Sequence, residues 1–142
     1  MFNAETFPYI SADFTPGEAG FRPYLPITLE YQQNTKNVSA LLDTGATVNV
    51  MPYSLELELG YIWERQTASL SLTGNLANYE ARVVVLQAQI SQFAPTQIVF
   101  AWTKATQVPL ILGQVNFFME FDVCFYRSQL YFAVSPKINP SA

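Results

Sequence analysis

The sequence predicts a mostly β fold in a single domain, with one or two short helices. Three observations carry this expectation. Short runs rich in Val, Ile, Leu, Thr and Tyr recur along the chain, bounded by Gly, Pro or Asn turns. Apolar residues at helical spacing are confined to two brief stretches, 53–59 and 114–120. The chain has 142 residues, of which 50% are hydrophobic, enough to bury one sizeable core without a second domain.

Residues 1–21 mix Phe2, Phe7, Tyr9, Phe14 and Phe21 with Pro8, Pro16, Gly17 and Gly20 and show neither periodicity, so they read as an arm packed on the domain. Residues 24–31 alternate as a strand, the polar 32–37 form a turn, and 38–42 return as the partner strand. Asn37-Val38-Ser39 matches a glycosylation sequon, which has no meaning without secretion, and is read as part of that turn. Residues 47–51 form a further strand, and Pro52 opens a helix over 53–59 that Gly60 ends as a left-handed cap. Residues 67–72 and 79–90 pair as a hairpin around Thr73-Gly74-Asn75. Residues 97–102 make another strand, 103–106 a turn, and 110–112 an apolar strand. One or two helical turns follow over 114–120, and 121–125 and 130–134 form a terminal hairpin around Arg127-Ser128.

The hairpin of 24–42 delivers Asp43 to the lip of an apolar strand, directly before the turn Thr44-Gly45. An unpaired carboxylate is costly to bury, so an Asp in this place needs partners or a purpose. Taken alone, Asp43-Thr44-Gly45 reads as an Asx turn, in which the carboxylate bonds its own backbone. Gly45 lets the chain turn sharply and brings its N–H near the carboxylate, which favours the charged form. A second apolar run, Val108-Pro109-Leu110-Ile111-Leu112, also ends at a glycine, Gly113.

Together, Leu41-Leu42-Asp43-Thr44-Gly45-Ala46 and Ile111-Leu112-Gly113, followed by Gln114-Val115-Asn116-Phe117-Phe118, resemble the retropepsin-like aspartic proteases. The resemblance covers residues 22–134 and is supported by Arg22-Pro23, Asn49-Val50-Met51-Pro52 and Phe121-Asp122-Val123. It implies a small closed β-barrel of the acid-protease half-domain type, preceded by the arm 1–21 and followed by a tail, 135–142. It makes Asp43 the catalytic carboxylate, with Thr44 bonding across a two-fold axis to a second loop and Gly45 completing the motif. It places Ala46 where substrate backbone passes, and makes the hairpin a flap whose tip, Thr73, Gly74 and Asn75, meets substrate. It gives Ile111, Leu112 and Gly113 the role of a strand that crosses behind the Asp loop and supports it. Three features depart from the pattern: Gln114 stands where retroviral members usually have an arginine, the flap tip has the single Gly74, and the arm has no counterpart in the shortest members.

Hydrolysis of a peptide bond requires a water to be deprotonated and the leaving nitrogen to be protonated, and two carboxylates sharing a proton can do both, one as base and one as acid. The chain has one Asp-Thr-Gly; Asp13 lies in the arm, Asp122 inside an apolar strand, and Glu56 and Glu58 on the short helix. A two-fold dimer would supply the second Asp43 by symmetry. The resemblance therefore implies a homodimeric aspartic endopeptidase acting on extended peptide or protein. A non-catalytic peptide-binding dimer of the same fold and a structural barrel in which Asp43 caps a turn are the competing readings.

Composition limits the remaining classes. Charged residues are 13% and aromatics 15%, which leaves too little charge to cover a monomer and points to apolar area buried in a partner, most simply a second copy. A net charge of −4 without any Lys/Arg cluster argues against nucleic acid and anionic membranes. Cys124 is the only cysteine and there is no histidine, so neither an intrachain disulfide nor a metal site or cofactor is expected. No signal peptide or membrane-length apolar run is visible, so a cytoplasmic location is expected.

Overall fold

The computed structural model describes residues 3–11, 20–105 and 107–138. Asp13, Phe14, Pro16 and Gly17 of the arm, Thr106 in its turn and the last four residues of the tail lie outside them. The chain forms β1 (Glu5–Pro8), β2 (Ile10–Ser11), β3 (Phe21–Arg22), β4 (Tyr24–Tyr31), β5 (Asn34–Leu42), β6 (Asn49–Met51) and the helix α1 (Tyr53–Glu58). After them come β7 (Ser69–Leu70), β8 (Ala81–Gln89), β9 (Thr96–Thr103), β10 (Ile111–Leu112), the short helix α2 (Phe117–Glu120), β11 (Phe121–Tyr126) and β12 (Tyr131–Pro136).

Strands β4, β5, β10, β6, β9 and β8 are hydrogen-bonded in that order, and β8 pairs back onto β4, so six strands close into a barrel. Closure pairs both edges of the sheet, which removes the row of unpaired backbone groups that an open edge would expose. β7 lies outside the ring on β8. Alternation in β8 turns Val84, Leu86 and Ala88 inward and leaves Val85 and Gln87 exposed, as a period of two requires.

The barrel holds two apolar clusters. The larger packs Leu25, Leu29, Phe100, Trp102 and Leu112 with the helices and terminal strands, and the smaller gathers Val50, Leu72, Ala81 and Ala101. Neighbouring residues separate them: Val50 and Ala101 belong to one cluster, Met51 and Trp102 to the other, because successive side chains point to opposite faces of a strand. Trp102 stacks on Tyr53 and meets Trp63 edge-on, and its indole N–H donates to the Tyr53 carbonyl at 3.0 Å, fastening α1 to the barrel.

The two ends of the chain meet in a second sheet, ordered β1-β12-β11. Glu5–Pro8 of the arm pairs with β12, and Tyr9 is buried in the main core, so this part of the arm is built into the fold. The pairing of β2 with β3 joins Ile10 to Arg22 across the residue 21 boundary.

Several elements differ from the sequence reading. The turn expected over 32–37 takes only residues 32–33, with Gln32 at φ 55°, and Asn34 through Asn37 extend β5 against β4. Asn37-Val38-Ser39 is therefore mid-strand rather than turn, and Asn37 accepts from the Thr28 hydroxyl at 2.7 Å. An antiparallel partner supplies backbone hydrogen bonds whatever the side chains, so polar composition does not end a strand. The strand expected over 67–72 shrinks to β7, preceded by a 3-10 turn over Trp63–Arg65 that periodicity did not reveal. Gly60 does follow α1 with a left-handed φ of 99°, and its N–H bonds the Leu57 carbonyl. Asp122, read as inside an apolar strand, is exposed on β11.

Candidate active site

Asp43 sits one residue past the end of β5, where the last inward side chain, Leu42, is anchored in the core. Its backbone N–H donates to the Leu112 carbonyl at 3.0 Å, and its carbonyl accepts from Ala46 at 3.1 Å, closing a tight turn. The carboxylate accepts from the Gly45 N–H at 2.9 Å. This is the Asx-turn geometry anticipated from the residue types, and it leaves the half-buried Asp43 side chain held in one direction.

Strand β10 runs behind the turn. Ile111 and Leu112 pair parallel to Leu41 and Leu42 of β5, and Ile111 pairs antiparallel to Val50 of β6. Gly113 follows with no room for a side chain: a Cβ there would stand 2.6 Å from the Val48 carbonyl oxygen and 2.7 Å from that of Ala46. Both obstacles are backbone, so the loop and the strand would have to part. Gly113→Ala is accordingly expected to destabilise the fold by about 2 kcal/mol, read as a lower urea midpoint, and to abolish whatever chemistry depends on the position of Asp43.

An amide pair, the buried Asn49 and the half-buried Asn116, locks Gly113 from the other side. Asn49 is fully buried; its Oδ1 accepts from the Gly113 N–H at 2.7 Å, and its Nδ2 donates to the Val99 carbonyl at 2.9 Å and to Asn116 Oδ1 at 3.2 Å. Asn116 in turn accepts from the Val99 N–H and donates to the Gln97 carbonyl. The sequence reading quoted both residues in the motifs of the resemblance but gave neither a role. Asn49 within the β-branched run 47–51 was the available signal, since a polar residue in a buried strand must find partners.

A groove of about 410 Å³ opens in front of Asp43. Three segments line it: the Asp loop with Ala46, Val48 and Val50; Ser71, Leu72, Thr73 and Leu76 from the connection between β7 and β8; and Gln107, Val108, Pro109 and Ile111 leading into β10. Its apolar walls belong to the smaller core cluster, so the groove is the open rim of packed structure. Among the described lining residues Asp43 is the only ionisable one. Glu56 is buried in the core and Glu58 pairs with Lys36, so neither reaches the groove.

The structure thus brings Asp43, Gly45, Ala46, Thr73 and Ile111 to one groove. Thr44 is exposed beside it. Leu112 and Gly113 lie buried behind the loop. Gly74 opens a 3-10 turn, Gly74–Leu76, at φ 64°, with nothing within 4 Å of where a Cβ would stand, and it does not line the groove. The Asn75 side chain is outside the described atoms. Leu72, Leu76, Val108 and Pro109 were not singled out from sequence as groove residues. Among the described residues no cluster of three or more His, Cys, Asp or Glu side chains is placed to hold a metal ion, and no helix is long and apolar enough to cross a membrane.

The sequence profile of the family described as aspartyl protease matches residues 27–115, a span that includes both Asp43 and Gly113. No curated protein matches the chain. Among solved structures, a retropepsin-like aspartic protease from Rickettsia conorii is similar with a TM-score of 0.62 at 13% identity, over 93% of this chain and 91% of that one. EIAV protease complexed with the inhibitor HBY-793 is similar with a TM-score of 0.52 at 20% identity, over 66% of this chain and 82% of that one. At these identities the likeness is one of fold, and the profile match supplies the relationship. The chain belongs to the aspartyl protease family, and its closed barrel is of the retropepsin-like kind.

Proposed function

We propose that the protein is a homodimeric aspartic endopeptidase whose active site takes one Asp43 from each of two chains. The observation that supports this reading most is that Asp43 stands as the one ionisable residue among the described lining of a largely apolar groove, with its loop pinned by β10 and the hairpin residues Leu72 and Thr73 opposite. A lone carboxylate cannot be charged base and protonated acid at the same moment. A second Asp43 related by a two-fold axis completes the pair, and two carboxylates in contact hold one proton between them.

The charged carboxylate takes a proton from water as that water attacks the scissile carbonyl. The protonated one stabilises the developing oxyanion, and a proton then passes to the leaving nitrogen. The Gly45 N–H steadies the charged partner. Substrate lies extended between the Asp loop and the β7–β8 hairpin, and the walls formed by Val48, Val50, Leu72, Leu76, Val108 and Ile111 favour apolar side chains around the cut bond.

Incubation with a denatured protein between about pH 4 and pH 7 is expected to give cleavage that a statine-type transition-state mimic suppresses, with activity on the acid side of neutrality. Above that range both carboxylates are charged and the acid is missing. A rate that rises continuously from pH 7 to pH 9 would rule the mechanism out. Tight binding of the mimic without cleavage would instead mark a groove that grips peptides.

A further inference from the structure

The Asp loop and the segment after β10 lie side by side, and most of the bonds between them are made by backbone. Asp43 donates to Leu112, Gln114 to Ala46 and Val115 to Thr47, at 3.0, 2.9 and 3.0 Å. Any residue except proline would supply these donors. The Thr44 carbonyl is reached differently, by the side-chain amide of Gln114, whose Nε2 donates to it at 2.8 Å.

That carbonyl has a special place. It belongs to the same planar peptide unit as the Gly45 N–H, and in a trans peptide the two groups point in opposite directions. The Gly45 N–H is the donor to Asp43 Oδ1, at 2.9 Å. A relay therefore runs from the Gln114 amide, through the Thr44–Gly45 peptide, to the carboxylate. Holding the carbonyl end fixes the tilt of the plane and so the aim of the N–H. Donation to the carbonyl also polarises the peptide and strengthens its N–H as a donor, because successive hydrogen bonds reinforce one another.

We propose that Gln114 is a positioning residue for Asp43, acting through the Thr44–Gly45 peptide. Its neutral amide thus links the two sequence motifs within one chain. This role rests on the reading of Asp43 as the catalytic carboxylate. The geometry also predicts a signature that simple loss of packing would not give, since Gln114 is exposed and its truncation removes little buried surface.

Three proteins test it: wild type, Gln114→Ala and Gln114→Glu. Gln114→Ala is expected to lower kcat about tenfold with KM within about twofold, and to move the acid limb of the pH–rate profile upward, because a weaker donor favours the charged carboxylate less. Gln114→Glu should match the alanine variant near neutrality, where a carboxylate meets a carbonyl with no proton to share, and regain rate towards pH 4, where the protonated side chain donates again. In NMR spectra, Gln114→Ala should shift the Gly45 amide proton upfield and speed its exchange, whether or not the protein cleaves peptides. Unchanged kcat and pH profile in both variants would overturn the proposal while wild-type cleavage left the protease reading standing. An inactive wild type would remove that reading, and the Gly45 resonance would then decide: if it is indifferent to Gln114, the relay does not exist.

Discussion

Asp43→Asn is expected to lower peptide cleavage by about a thousandfold or more, the range set by loss of a general acid–base pair, with the fold intact. The change is nearly isosteric, and the amide oxygen can still accept from the Gly45 N–H, so the Asx turn survives. What disappears is the charge and the shared proton. If each site takes one Asp43 from each chain, the mutant also poisons wild type when the two are refolded together. With random pairing in an equal mixture, about a quarter of the dimers carry both carboxylates, by two-chain symmetry. Activity should therefore fall quadratically with the wild-type fraction at fixed total chain concentration. A subunit with its own complete site would give a linear fall and half the activity at equal mixing. A straight line through the series would falsify the two-chain site even with Asp43 essential.

Replacing Glu56 by Gln is expected to stabilise the protein at neutral pH, the opposite of what removal of a native side chain usually does. Glu56 is fully buried on the inner side of α1, and neither carboxyl oxygen has a hydrogen-bond partner among the described residues. Burial pushes its carboxyl up from an ordinary 4.5 to about 8. The same buried charge, when it forms, also opposes ionisation of Tyr61, whose hydroxyl burial already holds above its usual range. Below about pH 4.5 folded and unfolded chains both keep the Glu56 proton, and the residue has no linkage to stability. Between there and about pH 8 the unfolded chain releases the proton while the folded chain retains it, so each rise in pH favours unfolding.

The penalty is complete above about pH 8 and amounts to several kcal/mol. Gln cannot ionise and avoids it. Thermal melts should show the two proteins alike at pH 4 and the variant more stable at pH 8 by about 10 °C, given a few degrees per kcal/mol for a chain of this size. Parallel melting curves across the whole range would mean that Glu56 does not hold its proton in the folded state.

The bounds of β4 were legible directly, and those of β8 and β9 to within one or two residues. In β4 and most of β8 alternation meets a barrel with one face inside, so the local pattern reports the global arrangement, whereas β9 is buried on both faces from Phe100 onward. The strand at 67–72 was harder, because it lies outside the ring and pairs through two residues only, leaving its side chains little burial to report. In the site, Asp43 and Gly113 were legible because their motifs place a carboxylate and a missing side chain at strand ends. The groove walls were not, since Leu72 and Val108 look like any other aliphatic residues until the chain brings them opposite Ala46.

The two glutamates of α1 show where sequence stops. Glu56 and Glu58 are two positions apart, which on a helix with 3.6 residues per turn sets them on nearly opposite sides. Nothing local says which side meets the core. Docking of α1 through Tyr53 against Trp102 decides it, sending Glu56 inside, with no hydrogen-bond partner for its carboxyl among the described residues, and Glu58 out to Lys36. The same division holds for the Asp43 loop. The sequence by itself determined that Asp43 ends a strand in a tight turn, because φ/ψ preference acts over a few residues, whereas the bar to a side chain at Gly113 is set by the sequence-distant Ala46 and Val48 carbonyls. Only the tertiary structure decided that Asn49 would hold Gly113 and that Gln114 would reach Thr44, because those bonds depend on β10 entering between β5 and β6 in one register, a choice made by the whole barrel as it closes.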